Sequence, residues 1–370
     1  MTIDNLQHRL SVRRVFALIL ATIALPLILD QVVFRGVYLW FLEPESTAGL
    51  TLLARSVQSA NYVPGKKNVL ILGDSRIGEG FSARIANEIG TPHGFNFIGL
   101  GLPGTSPRVW HYVLRDLDPQ RINYHAIFMM AATLRDDDTY EDFLNRSIDT
   151  AYIAPLFDWT DILSYPQSFS DPKAAQSATN AVAFPSATYK SDVLGFVKAP
   201  IKRVKKVYQW RTDYPSWLTA YPGRTEKLPP VKAPFASNRV LAQLNGSSKS
   251  ALEEYFQLYQ NAKPQPAEHM FAYRSKWFGQ IAQQYAATAV SVGVFLIPRG
   301  PYHAALNKPA EADGSLKLME RKGGIRLVDT SVSLPLEVPE FFFDHLHMNA
   351  EGRKAFSQNL AEAIITQLKQ

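Results

Sequence analysis

The chain contains no cysteine. Disulfides, thiolate metal sites and a cysteine nucleophile are excluded with it, and the absence is compatible with export without requiring it. Charge is sparse as well: Asp, Glu, Lys and Arg make up 19% of the 370 residues, and the formal net charge is +6. Nucleic-acid binding would need those basic residues concentrated on one face, and none is expected. The clearest basic cluster, Lys198, Lys202, Arg203, Lys205 and Lys206, alternates with Ile201, Val204, Val207 and Tyr208. It reads first as a solvated helix face and second as a surface for anionic lipid headgroups or an acidic glycan. Internal repeats and low-complexity tracts are lacking. His93, His111, His125 and His303 show no ligand spacing with carboxylates, so neither a metal nor a cofactor is expected.

Hydrophobic residues make up 46% of the chain, enough to bury a sizeable core. Arg9, Arg13 and Arg14 precede the uncharged run 15–29, and Asp30 and Gln31 interrupt it before Val32, Val33 and Phe34. Basic residues before an apolar segment favour a cytoplasmic N-terminus. No small-residue cleavage pattern follows, so the reading is an uncleaved signal anchor over residues 15–34, with a cleaved signal peptide and a buried core helix as alternatives. Residues 1–14 then lie inside, residues 35–64 form a juxtamembrane linker with Tyr38, Trp40 and Phe41 at the outer interface, and the rest faces the periplasm or cell exterior.

From residue 65 onward, short apolar runs alternate with helical stretches, the pattern of an α/β fold with a central parallel sheet. Strands are predicted at 68–72, 95–98, 126–131, 290–297 and 325–328. Helices are predicted at 81–89, 107–117, 270–287 and 350–368, and at 251–261 with Ser250 and Glu253 as a capping box. Residues 139–289 form a large, mostly helical and loop insertion after the third strand. Its Trp159, Trp210 and Trp217 read first as core and second as a wall of the cleft, since aromatic faces suit sugar rings.

Two short blocks carry chemistry. Gly73-Asp74-Ser75-Arg76 follows the first strand and puts a serine at a strand-to-helix turn. Asp344-His345-Leu346-His347 lies near the far end. A serine hydroxyl is a weak nucleophile until an imidazole takes its proton and a carboxylate orients that imidazole. Arg76 reads first as a surface salt-bridge partner and second as a group that binds an anionic or acylated substrate. Asp136, Asp137 and Asp138 read as a solvated or helix-capping loop, and His345 as an exposed neighbour.

These blocks and their spacing resemble the SGNH, or GDSL-type, hydrolases. The resemblance implies a three-layer, flavodoxin-like fold over residues 65–370, with Ser75 as nucleophile, His347 as base and Asp344 as its orienting acid. The stretch 96–106 looks like the family's second block and implies Gly104 as an oxyanion donor beside the Ser75 N–H. The third block departs from the family pattern: where members carry Asn, the strand 126–131 leads to Thr133, whose hydroxyl is the candidate donor. Anchored members linked to cell-envelope polysaccharide O-acylation imply an O-acyltransferase or esterase acting on such a polysaccharide, with a polytopic membrane O-acyltransferase as partner. A secreted carboxylesterase or lipase on small esters, and a non-catalytic subunit of a polysaccharide-modification complex, are the alternatives.

Overall fold

The computed structural model describes residues 12–138, 141–228, 265–301 and 314–370. Five strands, β1 (Lys67–Gly73), β2 (Phe95–Gly101), β3 (Ala126–Ala131), β4 (Ser291–Leu296) and β5 (Arg326–Leu327), form one parallel sheet in the order β2-β1-β3-β4-β5. This is a doubly wound order, in which the connections leave β1 and β3 on opposite sides and open a crevice at the carboxyl ends of those two strands. Val69, Leu70, Ile71 and Leu72 of β1 are buried, as is every residue of β3. Continuous apolar runs of this kind mark strands covered on both faces.

On one face lie α3 (Ser75–Gly80), α4 (Ala83–Gly90) and the last helix, Ala350–Lys369, which packs against both. On the other lie α5 (Pro107–Leu117) and the helix Ala267–Tyr285, which buries Met270, Tyr273, Trp277, Phe278 and Ile281. That second helix is the crossover between β3 and β4, which a parallel pair cannot do without. The segment added to the basic fold therefore ends before Ala267 rather than at 289. The predicted helix at 251–261 lies outside the described residues.

Residues 35–64 are not a linker. A 3-10 turn at Val37–Trp40 leads to α2 (Thr47–Asn61), capped by the Ser46 hydroxyl accepting from the Gly49 N–H at 3.0 Å. Leu53, Ala54 and Val57 of α2 are buried, and the helix packs on α5 and β2. Their i, i+1, i+4 spacing makes one apolar face on a segment whose mean composition is unremarkable.

The inserted segment builds α6 (Ile148–Ile153), α7 (Asp161–Ser164), α8 (Pro172–Ala183), α9 (Pro185–Thr188), α10 (Lys190–Lys198) and α11 (Pro200–Ala220). Ahead of all these, α1 (Val12–Arg35) is long and apolar enough to cross a membrane, with mean hydropathy 2.2 and almost none of it buried.

Candidate active site

Ser75 is the first residue of α3, directly beyond the end of β1. Asp74 caps that helix, its carboxylate accepting from the Arg76 N–H at 2.8 Å, and the same carboxylate pairs with the Arg76 guanidinium at 2.8 Å. Arg76 is thus tied back to the turn that carries the serine. Gly101 explains how α3 can sit so close to the sheet: a Cβ there would lie 2.2 Å from the Gly78 nitrogen. Only glycine permits that backbone approach.

The Asp344 carboxylate folds its own block. One oxygen accepts from the N–H groups of Leu346 (2.8 Å) and His347 (2.6 Å), and the other contacts His347 Nδ1 at 2.8 Å. This is an Asx-type turn, and it explains why the two residues stand three apart. His347 Nε2 lies 2.9 Å from Ser75 Oγ. A carboxylate can only accept, so Nδ1 carries the hydrogen and Nε2 of the neutral ring is left to accept from the serine hydroxyl. Burial opposes ionisation of Asp344, but the His347 ring and the two backbone N–H groups outweigh it and hold the carboxyl below its ordinary value. Both side chains remain about one-fifth exposed, so a reactant can reach them. Phe343 stacks flat on the His347 ring, centroids 5.8 Å apart.

Gly104 and Thr133 stand at the ends of the strands flanking β1, three residues beyond β2 and two beyond β3. Gly104 has φ +69°, a left-handed conformation that favours glycine, and a Cβ would strike the Tyr152 hydroxyl at 2.7 Å. Tyr152 Oη donates to the Pro103 carbonyl (2.7 Å), so α6 holds this loop from outside. Beneath it, Tyr273 Oη donates to Ser106 Oγ, which donates to Asp149. Asp149 in turn pairs with the wholly buried Arg108. Thr133 is buried, its hydroxyl accepting from the Arg135 N–H (3.1 Å) and its carbonyl from Arg274 (2.9 Å).

The expectation for Asp136 divides: it caps a helix but is not solvated. It is buried, paired with Arg274 at 3.1 Å, and bonded at 2.7 Å to the N–H and hydroxyl of Ser315, the first residue of the helix Ser315–Arg321. His345 is half-buried rather than exposed, because Gly300 packs directly on its carbonyl.

Arg353 is the principal residue that the sequence patterns did not single out. It is buried, and its guanidinium donates to the carbonyls of Gly78 (2.6 Å) and Glu79 (2.7 Å), closing the C-terminal end of α3. Burial pushes it down to about 10. Tyr221 stacks over it at 5.2 Å and donates to Glu79 at 2.5 Å. The helix that carries Ser75 is therefore capped at its start by Asp74 and at its end by Arg353. The available signal was a lone arginine one turn into a helix capped by Asn349, but its partners lie 275 and 274 residues away.

No protein-family model matches the chain, and no curated protein matches it.

Proposed function

We propose that this chain is a membrane-anchored SGNH-type serine acyl-transfer enzyme, acting outside the cytoplasm as an O-acyltransferase or esterase on acyl, often acetyl, groups of a cell-envelope polysaccharide. The single observation behind this reading is the unbroken hydrogen-bond chain Ser75 Oγ, His347, Asp344. In the proposed cycle, His347 Nε2 takes the hydroxyl proton as Ser75 Oγ bonds to the ester carbonyl carbon. The carbonyl electrons move to oxygen, where the N–H groups of Ser75 and Gly104, together with Thr133, stabilise the charge. Collapse expels the alcohol, to which His347 returns its proton, and leaves an acyl-Ser75. A sugar hydroxyl or water, deprotonated by His347, then attacks the acyl carbon, the bond from that carbon to Ser75 Oγ breaks, and His347 returns the proton to Oγ.

The acceptor alone separates transferase from esterase, since the covalent intermediate is shared. For transfer, a polytopic membrane O-acyltransferase would supply the acyl group and α1 would hold the two proteins in one bilayer. A second reading, a non-catalytic subunit of the same kind of complex, is favoured by one feature: Thr133 stands where SGNH hydrolases carry Asn, and losing such a donor costs about 100- to 1000-fold.

The test is intact-protein mass and ester turnover of the full chain in detergent with p-nitrophenyl acetate, beside Ser75→Ala. An acetyl adduct or turnover that vanishes in the variant is expected. Identical behaviour of the two chains across several activated esters would overturn the enzyme reading in favour of the subunit. Turnover that added sugar never diverts from water would favour the esterase.

A further inference from the structure

The end of α1 is gripped by the inserted helices. Gln31 Nε2 donates to the Ala183 carbonyl at 2.8 Å, Arg35 donates to the Val182 carbonyl, and Phe34 stacks on Tyr189. Just beyond, Tyr38 Oη donates to Asp192 (2.6 Å), Arg203 donates to the Phe41 carbonyl (3.0 Å), and Arg211 lies 4.8 Å over the Trp40 ring. So α8 to α11 form a collar fixed around the point where α1 leaves its apolar stretch.

Outside α1, seven of the fifteen large apolar side chains exposed among the described residues belong to this collar, more than to any other part of the chain of similar length. On α10 and α11 they form a stripe: Leu194, Val197, Ile201, Val204 and Tyr208, with Ile201 86% exposed and Tyr208 73%. Within each helix the spacing of three and four residues keeps them on one side, Leu194 and Val197 on α10 and Ile201, Val204 and Tyr208 on α11. The opposite side of α11 carries the buried Arg203 and Val207. Arg203 is paired with Glu43 (3.0 Å) and Asp192 (2.9 Å), and Lys206 with Glu43 at 2.5 Å. Two of the five cations in the basic cluster are therefore spent on holding α11 to the chain after α1, which a solvated face would not do. Lys198, Lys202 and Lys205 remain, exposed beside the apolar stripe and without an ion pair among the described residues.

An apolar stripe bordered by lysines is the arrangement of a helix lying in a membrane interface. We propose that the outer face of α10 and α11 docks on the surface of the bilayer that α1 enters, its stripe at the acyl boundary and Lys198, Lys202 and Lys205 on anionic headgroups. This rests on α1 spanning the bilayer and is independent of the chemistry at Ser75. The occupant follows from continuity, since the collar is bonded to the helix that enters the lipid, and from charge complementarity. At its far end α11 leads to Tyr221, which bonds α3, and to Arg224, which lies 5.0 Å over the ring of Phe343 that stacks on His347. The docking face and the triad are thus joined by one helix, and docking sets how the crevice is presented to the membrane.

The test exploits the absence of cysteine. Full-length Ile201→Cys, Leu25→Cys and Ile122→Cys carry one polarity-sensitive fluorophore each, in nanodiscs of neutral lipid or with 30% phosphatidylglycerol, with doxyl-lipid as quencher. Expected are strong quenching at 25, quenching at 201 that is greater in anionic lipid, and none at 122. Replacing Lys198, Lys202 and Lys205 by Gln lowers the docked-to-undocked ratio about fivefold per lysine. Quenching at 25 without quenching at 201 overturns the docking face and leaves the anchor standing. Absence of quenching at both overturns the anchor and the docking face together. Equal quenching at 201 in both lipids overturns the headgroup contact. Shielding of the 201 label from iodide in lipid-free amphipol, or only on adding an acidic glycan, shows that protein or glycan covers the stripe and overturns the proposal.

Discussion

Two regions of this molecule treat polar and apolar side chains in opposite ways. At the carboxyl edge of the sheet, charged groups are drawn inward and paired: Asp344 with His347, Asp74 with Arg76, Asp136 with Arg274, and Arg353 on the carbonyls of α3. In the collar around α1, apolar groups are pushed outward: Ile201, Tyr208, Val197 and Trp217 are each more than half exposed. Desolvating a charge is costly unless it is bonded, so the first arrangement persists only as a connected network whose geometry is rigid. Exposing large apolar groups is costly in water and favourable in a lipid interface. The edge is built for position, and the collar for its surroundings.

Changes at the edge sharpen this comparison most. Ser75→Ala is expected to cut ester turnover about 10,000-fold or more while the melting temperature stays put. A comparable loss of turnover and stability together would make Ser75 a packing residue. Asp344→Asn retains the shape of the turn but no longer holds a hydrogen on Nδ1, and about a 10,000-fold fall in kcat is expected from steady-state kinetics. Because the folded carboxyl titrates below its ordinary value of 3.8, Asp344 stays charged at every higher pH. Its contribution to stability is present above 3.8 and is lost as pH falls through the lower folded value, so a limb of the pH–rate profile above 3.8 belongs to another group.

The frame beneath the site comes next. Gly101→Ala places a methyl 2.2 Å from the Gly78 nitrogen, and chemical denaturation should show a loss of about 3 kcal/mol. Arg353→Met leaves the Gly78 and Glu79 carbonyls without their donor, costing about 2 to 3 kcal/mol, with a larger effect on kcat than on KM because α3 shifts. Arg353→Lys should restore part of both.

The smallest effect separates two histidines. His347 is reachable, whereas His111 lies between Tyr112 and Trp277, and burial with Arg115 nearby pushes it down to about 4. Its folded value is lowered, so the unfolded chain binds the extra proton between pH 6.5 and 4 and stability falls as pH drops through that window. Thermal melts should lose about 2 kcal/mol between pH 7 and 5, and His111→Gln should flatten that slope without altering turnover. An unchanged slope would place the acid sensitivity elsewhere.

Local pattern carried much of the sheet. The apolar runs at 68–72, 95–98 and 126–131 became β1 to β3 with ends moved by at most three residues, because a strand covered on both faces reads as a nearly unbroken apolar run. Residues 47–61 were misjudged because α2 is stabilised by packing on α5 rather than by its own propensity. The aromatics of the inserted segment read first as core and second as a wall for the cleft. Those along α11 instead stack on one another, Trp210 on Tyr214 at 5.5 Å and Tyr214 on Trp217 at 5.7 Å, which covers the facing sides of these rings.

The sequence by itself determined the turn chemistry of Asp74 and Ser75, the three-residue reach of Asp344 to His347, and the apolar length of α1, since each depends on neighbours within a few positions. Only the tertiary structure decided that Ser75 and His347, 272 residues apart, meet at 2.9 Å, that Arg353 closes α3, and that the lysines of α11 divide into paired and exposed sets. Those outcomes depend on which strand ends the crossovers bring side by side, and no local propensity encodes that.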